Sequence, residues 1–309
     1  MSDRAGIPTS AARDLTGSHE RGRTDLAGAA LWAPKRRLLC QLVRDRTALL
    51  GLVIVMVLGA LALLAPWIAP HDPTAQDVLD RFALPSAAHP LGTDHLGRDE
   101  FSRLLYGGRV SLLTSLALGT GILLIGTAVG TLAGFAGGKV DGLVMRVVDV
   151  LLAFPNLLLV LVVVGALGPG MANLAAAFLA AGWVSYARIV RGLVLAAKQQ
   201  PYIEAARALG LGPLRVAVRH LLPNVVAPVV VLWTLRTGQL LLALAALSFL
   251  GLGVQPPTPE WGAMLNEARD ALARAPRLMV YPGVLITVAA LGFNLLGDGL
   301  RDVLDPRLR

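Results

Sequence analysis

The sequence predicts an all-α membrane protein with six transmembrane helices and both chain ends on the cytoplasmic side. Three observations lead there. The 309 residues are 55% hydrophobic and only 16% charged, with a mean hydropathy of +0.64, too apolar for an ordinary soluble domain. Charge-free stretches long enough to cross a bilayer alternate with polar segments. Lys and Arg are shared unequally between the segments that would lie on opposite faces.

Residues 1–46 are polar, with nine Lys or Arg and the cluster Lys35, Arg36 and Arg37 close to the first apolar run. They read as a cytoplasmic tail ending in an amphipathic approach to the membrane. The polar lead is longer than that of a signal peptide, so no cleavage is expected. Residues 47–69 hold 23 positions without a charge, enough at about 1.5 Å per residue to cross a hydrocarbon core of roughly 30 Å. A polar outer loop closes this first unit, residues 47–107, and carries six acidic residues, Asp72, Asp77, Asp80, Asp94, Asp99 and Glu100. Its stretch HPLGTDHLGRD, residues 89–99, places two histidines and two aspartates close together. Oxygen and imidazole ligands suit a divalent ion; the Gly and Pro positions equally suit a tight, self-hydrogen-bonded loop.

Residues 108–309 form the second unit. Residues 110–138 are free of charge, and Gly126, Gly130 and Gly134 at four-residue spacing make a smooth strip for a neighbouring backbone. A short polar turn is expected at 139–149, with Asp141, Arg146 and Asp149. A third span follows at 150–168, broken near its start by Pro155-Asn156, and Gly168-Pro169-Gly170 turns the chain. The Ala-rich residues 171–187 make a closely packed fourth span, 225–252 a fifth containing Pro228 and Arg236, and 278–296 a sixth, with a short charged tail after it.

With the amino terminus inside, the inner segments hold twenty Lys or Arg and the outer ones seven, leaving Arg236 within a span. That asymmetry fits the positive-inside rule. The formal charge of +8 comes from basic residues spread over separate loops, so the bilayer, not nucleic acid, is the partner it indicates. A single cysteine, Cys40, excludes an internal disulfide. The sequence contains no phosphate-cradling G-x-x-x-x-G-K-[ST], no H-E-x-x-H, no C-x-x-C and no G-x-S-x-G, so catalysis within the chain is not expected. No cofactor and no resident metal are expected either.

A polar island, residues 191–223, separates the fourth and fifth spans. Within it, residues 202–209 are good helix formers, Gly210 permits positive φ as a stop, and Pro213 suits the first position of a second helix. Leu214, Ala217, Val218, Leu221 and Leu222 fall on one stripe with Arg215 and Arg219 opposite, and Pro223 is expected to end the helix. Two short helices, greasy on one face and basic on the other, make a knob for a partner's groove. Arg236 lies about 18 Å along a helix starting at Asn224, at a depth where a charge is expensive. It either pairs inside the bundle or lines a path and attracts an anionic group such as a peptide carboxylate.

Glu204-Ala205-Ala206, then Gly210, then Leu222-Pro223 resembles the EAA loop of bacterial ABC-importer permeases. HPLGTDHLGRDEFSRLLYGGRVSL, the stretch from Leu247 to Gly253, PPTPEWGAMLNEARD from Pro256, and FNLLGDGLRDVLDPRLR from Phe293 carry the same resemblance in the same order, to the dipeptide/oligopeptide/nickel branch and to its permease with the longer amino-terminal tail. The chain departs from the family pattern at Leu244 and Arg236. The outer-loop signature is shared by peptide and nickel permeases and so does not itself indicate metal.

The resemblance implies a type I importer in the bacterial inner membrane: a second related permease, two cytoplasmic ATP-binding subunits, and an extracytoplasmic substrate-binding protein. It also implies that Glu204, Ala205, Ala206, Gly210 and Pro223 belong to the ATPase-coupling loop, and that the outer loop at Glu260 and Trp261 receives the binding protein. Di- or oligopeptides are the expected cargo. A nickel importer of the same family, or a membrane scaffold that uses the loop only to hold a partner, are the alternatives.

Overall fold

A computed structural model describes residues 45–304, in which helices are joined by turns and loops and no strand occurs among the described residues. The tail of residues 1–44, with Lys35, Arg36, Arg37 and Cys40, and residues 305–309 lie outside the described part. Helix α1, Arg46–Leu63, starts at Asp45, whose carboxylate accepts from the N–H groups of Thr47 and Ala48 at 2.8 and 2.9 Å. The predicted first span breaks at Leu64, and the short α2, Ala65–Ile68, restarts with Pro66 in its first turn.

Helix α3, Glu100–Ala136, begins ten residues before the charge-free run because Asp99 caps it, accepting from Ser102 N at 2.8 Å. Its 37 residues measure about 55 Å, so the first turns stand clear of a 30 Å apolar layer. The glycine strip behaves as expected. A Cβ on Gly126, Gly130 or Gly134 would meet Tyr186 Cβ at 2.4 Å, Ala187 O at 2.5 Å or Val194 Cγ1 at 3.0 Å, so α3 lies almost backbone to backbone on α6, Met171–Lys198.

The expected polar turn at 139–149 is instead a helix, α4, Gly138–Leu152. Its carboxylates have partners on α6: Arg191 donates to both oxygens of Asp141, one at 2.6 Å, and Arg188 pairs with Asp149. These pairings also explain why α6 continues past the predicted end at Ala187. The third span is shorter than expected for the same reason, since its first residues belong to α4. After an 84° bend at Pro155 only α5, Asn156–Leu167, remains. Among the described residues five helices are long and apolar enough to cross a membrane, and there are six spans when α4 and α5 count as one broken span.

Beyond α6 come α7, Pro201–Ala208, and α8, Pro213–Val216. A π turn, Ala217–Leu221, leads from α8 into α9, Leu222–Phe249. Helix α10, Trp261–Ala268, precedes α11, Arg277–Leu304. The last helix absorbs most of the expected charged tail, because Gly299 packs against Ala48 of α1 at a distance no side chain would allow. One apolar core joins α3, α5, α6 and α9; a second joins α1, α3, α9, α10 and α11.

Candidate functional site

The polar island forms a compact knob at the end of the bundle where α3 finishes and α6 hands over to α9. Ile203 and Ala206 of α7 turn inward onto Val190 and Val194 of α6 and Val216, Leu221 and Val225 of the next segment. Gly210 has φ +78° and nothing within 4 Å of where a Cβ would stand, so the left-handed turn, not space, demands glycine. Leu211 N donates to Ala206 O at 3.2 Å, the six-to-one closure of a glycine-stopped helix.

Pro223 does not end the second helix. It lies in the first turn of α9, and the π turn just before it, closed by Leu222 N onto Ala217 O, moves away the carbonyl that the proline ring would crowd. The extra residue in that turn also rotates the expected stripe. Val216, Ala217 and Leu221 are buried while Val218 is 57% exposed; the side chain of Leu214 lies outside the described ones. The outer surface therefore presents Leu209, 82% exposed, and Val218, with Glu204, Ala205, Arg215 and Arg219 exposed around them. At its base Lys198 Nζ donates to the carbonyls of Gly134 and Phe135, both at 3.1 Å. These bonds tie the end of α6, where the knob begins, to the last turn of α3.

Halfway along α9, Arg236 faces a cavity of about 150 Å³ between α3, α5, α6 and α9. Asn156, Ser185, Tyr186 and Gln239 share its wall with Arg236. No ion pair or hydrogen bond engages the guanidinium among the described residues. A cation at the centre of a span costs about 2.5 to 3.5 kcal/mol on insertion scales, and among the described residues no carboxylate pairs with it.

Residues 126–309 match the family model of the binding-protein-dependent transport system inner membrane component, and residues 34–85 match that of the N-terminal transmembrane domain of oligopeptide transport permease C. The chain belongs to the ABC-importer permeases of the peptide and nickel branch. Among its relatives, the glutathione transport system permease protein GsiD of Pectobacterium atrosepticum is 44% identical over 279 residues, covering 89% of this chain and 92% of the relative. The protein of the same name from Escherichia coli O6:K15:H31 is 46% identical over 273 residues, 86% and 88% of the two chains. The permease is thus a multi-pass protein of the bacterial inner membrane and a transport subunit, not an enzyme.

At the opposite end of the permease, Glu260 and Trp261 are buried, each only 2% exposed. Glu260 caps α10, with one oxygen accepting from Ala263 N at 2.9 Å and the other from Ser111 Oγ at 2.8 Å. Trp261 Nε1 donates to Leu104 O at 3.0 Å, and its ring lies over Gly107 and Gly108. Together they fasten α10 to α3.

The outer loop at 89–99 is held by its own hydrogen bonds. Asp94 accepts from the N–H groups of Leu96 and Arg98 and from Arg98 Nε at 2.6 Å, and Arg98 and Arg103 converge on Glu267 of α10. Two metal-like groupings occur among the described residues. Asp94, His95 and Glu267 lie against those two buried arginines, which oppose a cation. His71, His89 and Asp99 have a suitable donor set, with His89 Nδ1 2.9 Å from Asp99 Oδ1, while the other Asp99 oxygen is already held by Ser102.

Sequence reasoning missed Lys198 as the tie between knob and bundle, and Asn156, Ser185, Tyr186 and Gln239 as neighbours of Arg236. Only Gln239, three residues from Arg236 and hence on the same helix face, left a signal in the sequence.

Proposed function

We propose that this permease is one of two membrane subunits of an importer that carries di- or oligopeptides into the cell, driven by separate ATP-binding subunits. Both chain ends and the knob lie in the cytoplasm, in keeping with the twenty-to-seven distribution of basic residues. The observation that carries the reading is the knob itself: exposed Leu209 and Val218 ringed by charge, on a base tied by Lys198 to α3. Such a surface suits a groove on an ATPase subunit, with Glu204, Ala205, Ala206, Gly210 and Pro223 shaping it. Closure of the motor on ATP moves the knob, and α3, α6 and α9 move with it, so the bundle opens alternately to either side. That coupling needs contacts which differ between the two states.

The extracytoplasmic binding protein delivers cargo at the end carrying α10 and the 89–99 loop, and a second related permease completes the path. Relatives named as glutathione permeases favour a small peptide over nickel. The test is ATP hydrolysis by the reconstituted complex with its binding protein and peptide. Substrate-stimulated hydrolysis is expected, with Leu209→Asp lowering it at least tenfold by placing a charge in the docking groove. A scaffold would show no stimulation in the wild type.

A further inference from the structure

We propose that the cavity beside Arg236 is a carboxylate-recognition subsite on the transport path, which rests on the peptide-importer reading above and assigns the chemical group that the path selects. Arg236 stands 14 residues into α9 and 13 before its end, midway along the span, and its side chain and that of Gln239 are exposed rather than packed away. Its guanidinium has no acidic partner among the described residues, and it opens on a cavity instead of on packed apolar side chains. A planar guanidinium binds a carboxylate through two parallel hydrogen bonds.

The surroundings are those of an anion site. Gln239 lies one turn along the same helix face and adds an amide donor; Ser185 brings a hydroxyl from α6, beside Tyr186, whose own hydroxyl donates to Leu232 O at 3.5 Å. Asn156 opens α5 directly after the 84° bend. The break in the α4–α5 pair brings the first two residues of a 12-residue helix, Asn156 and Leu157, to the cavity wall, and the first N–H groups of a helix have no acceptors within it. A broken span that aims a half-helix amino terminus at an anionic group is a recurrent device of membrane transporters. Guanidinium and helix terminus act with the same sign. A hydrated divalent cation is repelled by both, so the site favours a free peptide carboxylate over nickel.

The experiment uses the whole importer in vesicles, with trialanine and trialanine amide each supplied at a concentration that saturates the binding protein. Wild type is expected to take up the free acid at least tenfold faster than the amide. Arg236→Gln should abolish that preference by slowing the acid and not the amide, Arg236→Lys should keep part of it, and Gln239→Leu should reduce it severalfold. These outcomes support the subsite. Equal discrimination by wild type and Arg236→Gln, or no discrimination by wild type, overturns the subsite and leaves the importer standing. Failure of the wild type to import either peptide or to show stimulated hydrolysis overturns both.

Discussion

Single positions in this chain show how differently one residue type can be used. Gly210 is needed for its positive φ, Gly130 for the absence of a side chain against Ala187 O, and each requirement has its own cost. Trp261 is the most instructive case. An aromatic residue in a Pro-rich outer loop suggests a surface anchor, yet its ring is buried over Gly108 and its N–H is spent on Leu104 O. Trp261→Ala is therefore expected to destabilise the permease by about 3 to 5 kcal/mol, the range for truncating a buried Trp. Thermal unfolding of the purified complex measures this. An unchanged melting temperature with weakened affinity for the binding protein would return Trp261 to the surface role.

Helices pair here through what they lack as much as through what they carry. The α3–α6 contact is built from glycines, so bulk is not tolerated. In Gly130→Leu the first side-chain atom would sit 2.5 Å from the carbonyl oxygen of Ala187, and the two backbones must part. A loss of about 1 to 3 kcal/mol is expected, read as a lower melting temperature and poorer yield of folded protein in the membrane. The glycine spacing was legible in the sequence because close helix packing leaves a four-residue period. Helix α4 was not: Asp141 and Asp149 look like turn residues until Arg191 and Arg188, fifty and thirty-nine positions later, are seen to pair with them.

Across the whole molecule the two ends have separate tasks. One carries the buried cluster of Arg98, Arg103, Asp94 and Glu267 that locks the 89–99 loop onto α10; the other carries the exposed knob. With Cys40 replaced by serine, Gly210→Cys is expected to react with an impermeant thiol reagent only from the cytoplasmic face. Leu79→Cys, at a position 95% exposed at the other end, is expected to react only from outside. Labelling of both from one face would overturn the orientation and the coupling role together.

Apolar runs and the placement of basic residues were enough to establish a helical membrane protein, its approximate spans and the knob at 191–223, because the bilayer constrains length and composition in every helix independently. The π turn that leads from α8 into α9 past Pro223, the burial of Glu260 and Trp261, the bend that leaves α5 short and the polar company of Arg236 depend on which helices meet. Helix meetings of this kind join residues far apart in the sequence, 169 positions for Arg98 and Glu267, and pairings at such separation leave no local period to be read.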